Sequence, residues 1–412
     1  MLISPQNRQR ALIALVQVLG LCVWFSATAV TPSLRAEWGI GSGAAVWLTA
    51  SVQIGFVVGA LTSTVLNLAD RLSPHRLLAV SAFGAAACTA VLAVFAHGPA
   101  VAVPLRFLTG VLLAGVYPVG MKLMASWSTA RDRGRAFGVL IGALTLGSAL
   151  PHLINGLGPL PWRAVLAVAA ALTAIGALIA LVAIRPGPQI DLRAITLDPK
   201  YVVTMFRRRG PRLVNIGYYG HMWELYALWT WLSMFVLAGR EGRGEPSSAS
   251  ASVIVFAAIG LAGTVGCLLG GWASDRVGRA PTAASALAVS GTCCVLSPLF
   301  FTAPTAALVP ILLVWGAAVI ADSGVFSTAL SETADRQFVG TALTAQTAIG
   351  FLLTVVTIQL VPVAADVVGW RYAFVILVLG PVSGVAAMTA LGARPAEPGR
   401  SAASRDDEVD SR

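Results

Sequence analysis

The chain has 412 residues, of which 57% are hydrophobic and 11% charged. An ordinary soluble domain carries about 25% charge. Soluble enzymes, DNA-binding proteins and disordered chains are therefore excluded, and a polytopic membrane protein remains. The net charge of +10 marks no nucleic-acid partner, because Lys and Arg sit in short loops between apolar runs.

A bilayer core of about 30 Å takes roughly 20 apolar residues per helix. In chain order such runs fall at 11–31, 43–66, 77–97, 101–125, 137–157 and 163–184. Six more fall at 213–237, 250–272, 282–302, 306–330, 340–363 and 371–391. None alternates polar with apolar as barrel strands do. The predicted fold class is all-α, with twelve transmembrane helices in two six-helix bundles.

In the first run, Ala27-Thr28-Ala29 mimics a signal cleavage site. Its apolar stretch exceeds the ~7–15 residues of a signal h-region, so the run reads as an uncleaved helix. Trp24, Ser26 and Thr28 occupy its outer half and are candidates to face a pathway. Gln53 lies in the second span, and Arg106, Tyr117 and Lys122 in the fourth. Lys122 is close enough to the inner end to snorkel. Pro151, His152 and Asn155 form a polar break in the fifth span, which either lines a cavity or packs in the core.

The stretch 185–212 holds four prolines and seven basic residues. It reads as a cytoplasmic linker between an N-terminal bundle (1–184) and a C-terminal bundle (213–392), with a short amphipathic helix lying on the anionic leaflet. Span seven is rich in Tyr and Trp. Trp229 and Trp231 fit an interfacial belt, while Trp223 lies too deep for one. His221 and Glu224 share a helical face halfway along it. The loop 239–250 is polar and flexible. Asp322 lies in span ten, where no spacing selects Arg106 or Lys122 as its partner, and Gln346 lies in span eleven. The tail 393–412 has the composition of a disordered segment. The five cysteines lie inside apolar runs without metal or redox spacing and read as small core hydrophobes.

An ionisable group at the bilayer centre costs several kcal/mol, so each is a functional candidate. Glu224, His221 and Asp322 are the candidates for holding a coupling proton. Arg106 stays charged and needs a carboxylate, a substrate anion or water, unless it snorkels outward. With Trp24, Gln53, Tyr117, His152, Asn155, Trp223 and Gln346 it makes up the candidate substrate-binding set. With the N-terminus inside, 21 of the 28 Lys and Arg fall on inside segments and five outside, which places both termini in the cytoplasm.

The halves repeat. Asp70-Arg71 follows span two and Asp275-Arg276 follows span eight. Arg131–Gly138 precedes span five and Asp335–Gly340 precedes span eleven. Trp162-Arg163 opens span six and Trp370-Arg371 opens span twelve. The offsets are 205, about 203 and 208. Related halves around an internal pathway are transporter architecture. An acid beside arginines at a helix end can pair with the facing helix and with helix termini. Asp70, Arg71, Asp275, Arg276 and Arg279 are therefore gating candidates.

The run Gly270-Gly271-Trp272-Ala273-Ser274-Asp275-Arg276-Val277-Gly278-Arg279 resembles the loop signature of the major facilitator superfamily. The first-half copy, Asn67 to Arg76, departs from it at Asn67 and at Ser73-Pro74. Arg106-Phe107-Leu108-Thr109-Gly110 resembles the family's fourth-helix motif, which implies a role for Arg106 in proton transfer or substrate charge. The resemblance spans nearly the whole chain and implies alternating access. The glycines of span five, Gly142 and Gly147 before Pro151-His152, do not match the pattern of the family's drug antiporters, and the nitrate-transporter signature is absent. The expected function is proton-coupled uptake of a small solute by symport across a bacterial cytoplasmic membrane. Efflux by antiport is the alternative, and a non-transporting receptor or scaffold the third. No phosphate-binding loop or nucleophile motif is visible, so neither ATP hydrolysis nor enzyme activity is expected. The expected partners are a small-molecule substrate, protons and the lipid bilayer, with no nucleic acid, no cofactor and no metal, for a monomer.

Overall fold

The computed structural model describes residues 4–66, 68–129, 133–158, 160–189, 199–245, 249–335 and 338–393. The tail 394–412, residues 246–248 of the loop at 239–250, Asn67, Arg131, Arg336 and the side chain of Asp70 lie outside the described residues. Among the described residues, ten helices are long and apolar enough to cross a membrane. They are α2 (Ser42–Val65), α3 (Pro74–Phe95), α4 (Pro99–Ser126), α5 (Gly134–Gly156), α6 (Trp162–Ala183), α8 (Ser250–Val277), α9 (Arg279–Phe300), α10 (Thr305–Thr333), α11 (Val339–Val368) and α12 (Trp370–Gly392). The other two expected spans also form helices. In α1 (Pro5–Gly20) the helix stops early, turns at 21–25 and resumes at Ser26–Ala29. In α7 (Arg209–Glu241) Asn215, His221 and Glu224 dilute an otherwise apolar helix of 33 residues.

Local chemistry sets several ends. Pro5 opens α1 and the Ser4 hydroxyl accepts the Asn7 N–H at 3.3 Å. Gly278 turns the chain from α8 into α9 at φ 104°, a conformation that side chains resist. Arg163 at the start of α6 donates to the carbonyls of Ala93 and Ala96 at the end of α3. Its repeat mate Arg371 donates to Pro298 O near the end of α9. The matched Trp-Arg landmarks thus do the same job, satisfying carbonyls left over at a helix C-terminus.

The packing follows the repeat. In the first half α2 packs on α4, α3 on α6, and α1 on α5 and α6. In the second, α8 packs on α10, α9 on α12, and α7 on α11 and α12, which is the same set six helices later. The halves meet where α5 packs on α8 and α2 on α11, a pair that maps onto itself under that shift. The outer surface is apolar, with Val94, Phe95, Leu299 and Val367 exposed as a bilayer requires.

Two expectations are corrected here. The linker does form a helix, Pro199–Arg207, but its buried residues Tyr201 and Met205 face protein. It packs on α11, Tyr201 stacks on Phe338, and Arg208 pairs with Asp335. Trp229 and Trp231 are not an interfacial belt, since both are fully buried. The Trp231 indole donates to Ile358 O at 2.8 Å, and Trp229 packs against Phe25 and Tyr226.

Candidate functional site

The turn at 21–25 leaves helix carbonyls without intrahelical partners, an expensive condition in a membrane. Arg106 of α4 meets them. Its Nε donates to Leu48 O at 3.1 Å, Nη1 to Val23 O at 2.8 Å and Nη2 to Trp24 O, with Ser26 Oγ 3.5 Å from Nη1. A guanidinium presents its donors in a fixed fork, which suits carbonyls on two neighbouring segments. Arg106 is fully buried, so it neither snorkels nor meets a carboxylate. The exchange is reciprocal. α4 is itself interrupted near Val116, and Gln17 of α1 donates to Val116 O at 3.2 Å.

Past this turn the halves meet in a cluster of rings. Trp24, Phe25, Phe56 and Tyr117 come from the first half, and Tyr226, Trp229 and Phe351 from the second. Phe56 and Phe351 lie 4.5 Å apart between centroids, and Trp24 lies 5.8 Å from Phe351 and 6.2 Å from Tyr226. Gln53 sits one turn before Phe56, fully buried, with neither amide atom partnered. The indole N–H groups of Trp24 and Trp229 also lack acceptors.

The acids of the second half lie elsewhere. Glu224 is 1% exposed and accepts from the Trp315 indole at 2.6 Å, from the Cys294 thiol at 3.2 Å and from the Ser290 hydroxyl. All three partners are neutral. Cys294 is thus more than a core hydrophobe, since its thiol points at a carboxylate. His221 does not join Glu224. Its Nδ1 lies 2.8 Å from Asp322 Oδ1, both residues 1% exposed, though the oxygen is off the N–H line of the ring. Asp322 ends the first segment of α10, opposite His221 on α7, so its partner is neither Arg106 nor Lys122. Gln346 donates to Asn215 Oδ1 at 3.1 Å, which ties α11 to α7.

His152 and Asn155 cross between halves near the other end of α5. His152 Nδ1 is 3.4 Å from Ser233 Oγ, and the Asn155 amide donates to Ala29 O at 3.1 Å and Ser252 Oγ at 3.0 Å. Trp223 turns toward α12. It is half-buried, lies against Gly380 of α12, and directs its indole toward Ile376 O at 3.4 Å.

At the arginine-rich end a cavity of about 810 Å³ lies between the halves. Lys122, Arg135, Asp275, Arg276, Arg279 and Glu332 line it together with apolar groups. Arg279 bridges Asp275 at 2.8 Å and Glu332 at 3.3 Å, and Arg276 stacks on Trp272 at 4.5 Å. Arg71 is exposed. The Asp275 carboxylate lies so close to the first turn of α5 that a Cβ at Gly134 would come within 2.8 Å of Oδ2. A carboxylate at a helix N-terminus is worth about 0.3–1 kcal/mol when exposed. Asp275→Asn should therefore speed amide hydrogen exchange over residues 134–138 by about 2–5-fold, read by mass spectrometry. Unchanged exchange would remove the lock between α8 and α5.

Sequence reasoning missed Gln17, Ser290, Cys294 and Trp315. Gln17 is a polar residue inside an apolar run, which was the available signal. The others are ordinary membrane residues and gain meaning only from Glu224.

The comparisons agree with this architecture. The description Major Facilitator Superfamily belongs to the family profile that matches residues 13–358. The chain is 26% identical to the gallate transporter of Pseudomonas putida over 65% of either protein. It is 26% identical to the probable sulfoacetate transporter SauU of Cupriavidus necator, over 57% of this chain and 59% of that one. These matches thus span less than two thirds of either relative. Among solved structures the nucleoside transporter NupG aligns with a TM-score of 0.71 at 16% identity, over 93% of this chain and 99% of that one, a likeness of fold. With ten spanning helices among the described residues, a packing pattern that repeats between its halves and a matching profile over most of its length, the chain belongs to the major facilitator superfamily.

Proposed function

We propose that the protein is a secondary transporter that carries a small solute into the cell together with a proton. Two six-helix units, 1–184 and 213–392, joined by the linker 185–212, rock about a central site. The chain acts as a monomer in a bacterial cytoplasmic membrane with both termini inside, so the arginine-rich cavity faces the cytoplasm. Transport is supported by the family and by relatives named as a gallate transporter and a probable sulfoacetate transporter.

The observation that carries proton coupling is Glu224, sealed between α7, α9 and α10 with neutral partners alone. A carboxyl so held can take up and release a proton without breaking an ion pair. His221 and Asp322 sit on the same two helices, α7 and α10, and supply a second station. Trp24, Gln53 and Tyr117 belong to the solute site. His152 and Asn155 close its outer end, and Asp275 with Arg276 and Arg279 closes the inner one, with Asp70 and Arg71 as the first-half counterparts. Inward direction rests on span five, which lacks the antiporter pattern.

Proteoliposomes holding a pH-sensitive dye test this, with gallate and sulfoacetate as first probes. A solute that is carried should acidify the lumen as it enters. Glu224→Gln should abolish that proton flux yet keep exchange of labelled solute, since exchange need not release the proton. Accumulation by the variant with unchanged pH dependence would move the proton elsewhere, and Asp322 would be next.

A further inference from the structure

We infer that the ring cluster receives a flat aromatic solute whose edge carries uncharged hydrogen-bonding groups. The inference rests on the transport reading and names its substrate class.

The rings pair mainly across the boundary that must open. Phe56 meets Phe351, Trp24 meets Phe351 and Tyr226, and Phe25 meets Tyr226 at 5.8 Å and Trp229 at 5.6 Å. When the halves rock apart these pairs part, and ring faces from both sides are left uncovered. A planar aromatic solute restores offset stacking on both sides at once, whereas an aliphatic one covers area without matching the ring quadrupoles.

The polar atoms add a second, independent pointer. Trp24 and Trp229 are 1% exposed and Gln53 is fully buried. Both indole N–H groups and both amide atoms of Gln53 lack partners. Buried polar groups are almost always paired, and leaving them unpaired is costly. The register brings two of them together. Thr28 and Thr49 share a hydrogen bond of 2.7 Å between the antiparallel first and second spans. Gln53 lies one turn before Phe56 on α2, and the Phe56 ring is 5.0 Å from Trp24 in the turn at 21–25. Acceptors on the solute's edge would fill the indole donors. A hydroxyl, carbonyl or amide would satisfy Gln53.

The charge of the occupant follows from what is already spent. Arg106 gives its donors to the carbonyls of Leu48, Val23 and Trp24 and to Ser26. His221 lies against Asp322. A carboxylate seated among the rings would therefore meet no free buried cation among the described residues, and burying it unpaired is prohibitive. The part of the solute that enters the cluster is neutral.

Equilibrium dialysis on the purified protein in nanodiscs tests this with matched probe sets. Neutral phenols, aromatic amides and quinones are each compared with the ring-saturated and the carboxylate counterpart. The best neutral aromatic probe should bind at least ~10-fold more tightly than either counterpart. Gln53→Leu and Trp24→Phe should each weaken it by roughly 10-fold. The wild-type comparison needs no variant, so misfolding of either one leaves the test intact. Equal binding of saturated or carboxylate probes overturns the inference. Proton flux driven by an aliphatic solute, with no aromatic probe binding, also overturns it while the transport reading stands. Aromatic binding without flux from any bound probe supports this site and sinks the transport reading instead.

Discussion

Arg106→Ala should melt about 3–6 °C below the wild type. The substitution leaves the Trp24 carbonyl buried without a donor and takes one donor each from the carbonyls of Val23 and Leu48. Each orphaned group costs about 1–3 kcal/mol, and removing one side of a buried charged network typically costs about 3–5 kcal/mol in total. For a chain of this size that is about 1 °C per kcal/mol. Arg106→Lys should recover little, because one ammonium cannot reach carbonyls on both the broken first helix and the start of α2. Thermal unfolding followed by intrinsic fluorescence in detergent checks both. A side chain that served only the solute would behave oppositely. The alanine protein would then melt like the wild type and lose only solute affinity.

Gly270→Ala should be nearly as damaging, while the neighbouring Gly271→Ala should be tolerated. A Cβ at Gly270 would lie 1.9 Å from Ala321 O, whereas one at Gly271 finds nothing nearer than Gly134 O at 3.8 Å. The obstacle at Gly270 is backbone, so no rotamer change relieves it. Gly266 meets Ala317 O at 2.0 Å and Gly316 meets Ala258 O at 1.9 Å, so α8 and α10 touch backbone to backbone along their length. The repeat mates α2 and α4 do the same at Gly55, Gly59 and Gly110. Overpacking a tight interface costs about 1–3 kcal/mol and more where nothing can yield. Gly270→Ala should lose most of its monodisperse peak in size-exclusion chromatography, and Gly271→Ala should keep it. Identical profiles would mean that the two helices are not held this close.

The apolar runs, the repeat and the gating loop were legible because they are local. A twenty-residue run needs no partner, and Asp275 declares itself by standing beside arginines in a glycine-marked turn. The pairings were not legible, because they depend on how each helix is rotated and where it crosses its neighbours. His221 and Glu224 share a face by spacing, yet one turns to α10 and the other to α9 and α10 as well. Trp229 and Trp231 sit at the depth of a belt, but α7 is enclosed by its neighbours, so depth did not imply lipid. The turn at 21–25 reads Leu-Cys-Val-Trp-Phe, and only Gly20 just before it hints at a break in an otherwise apolar run. The arginine that stabilises it lies about 80 residues later in the chain.

The linker helix carries a consequence for how the chain is made. The Tyr201 hydroxyl accepts the N–H of Asp335, 134 residues downstream, at 2.8 Å. At about 5–20 residues per second, the helix leaves the ribosome roughly 7–27 s before its docking site exists. Four spans, α7 to α10, must be threaded in that interval. During it, Met205 can already meet Asn215 of α7, but Tyr201 lacks Asp335 and Phe338. Tyr201 is therefore the last part of this helix to be covered, and its final packing waits until the start of α11 has been made.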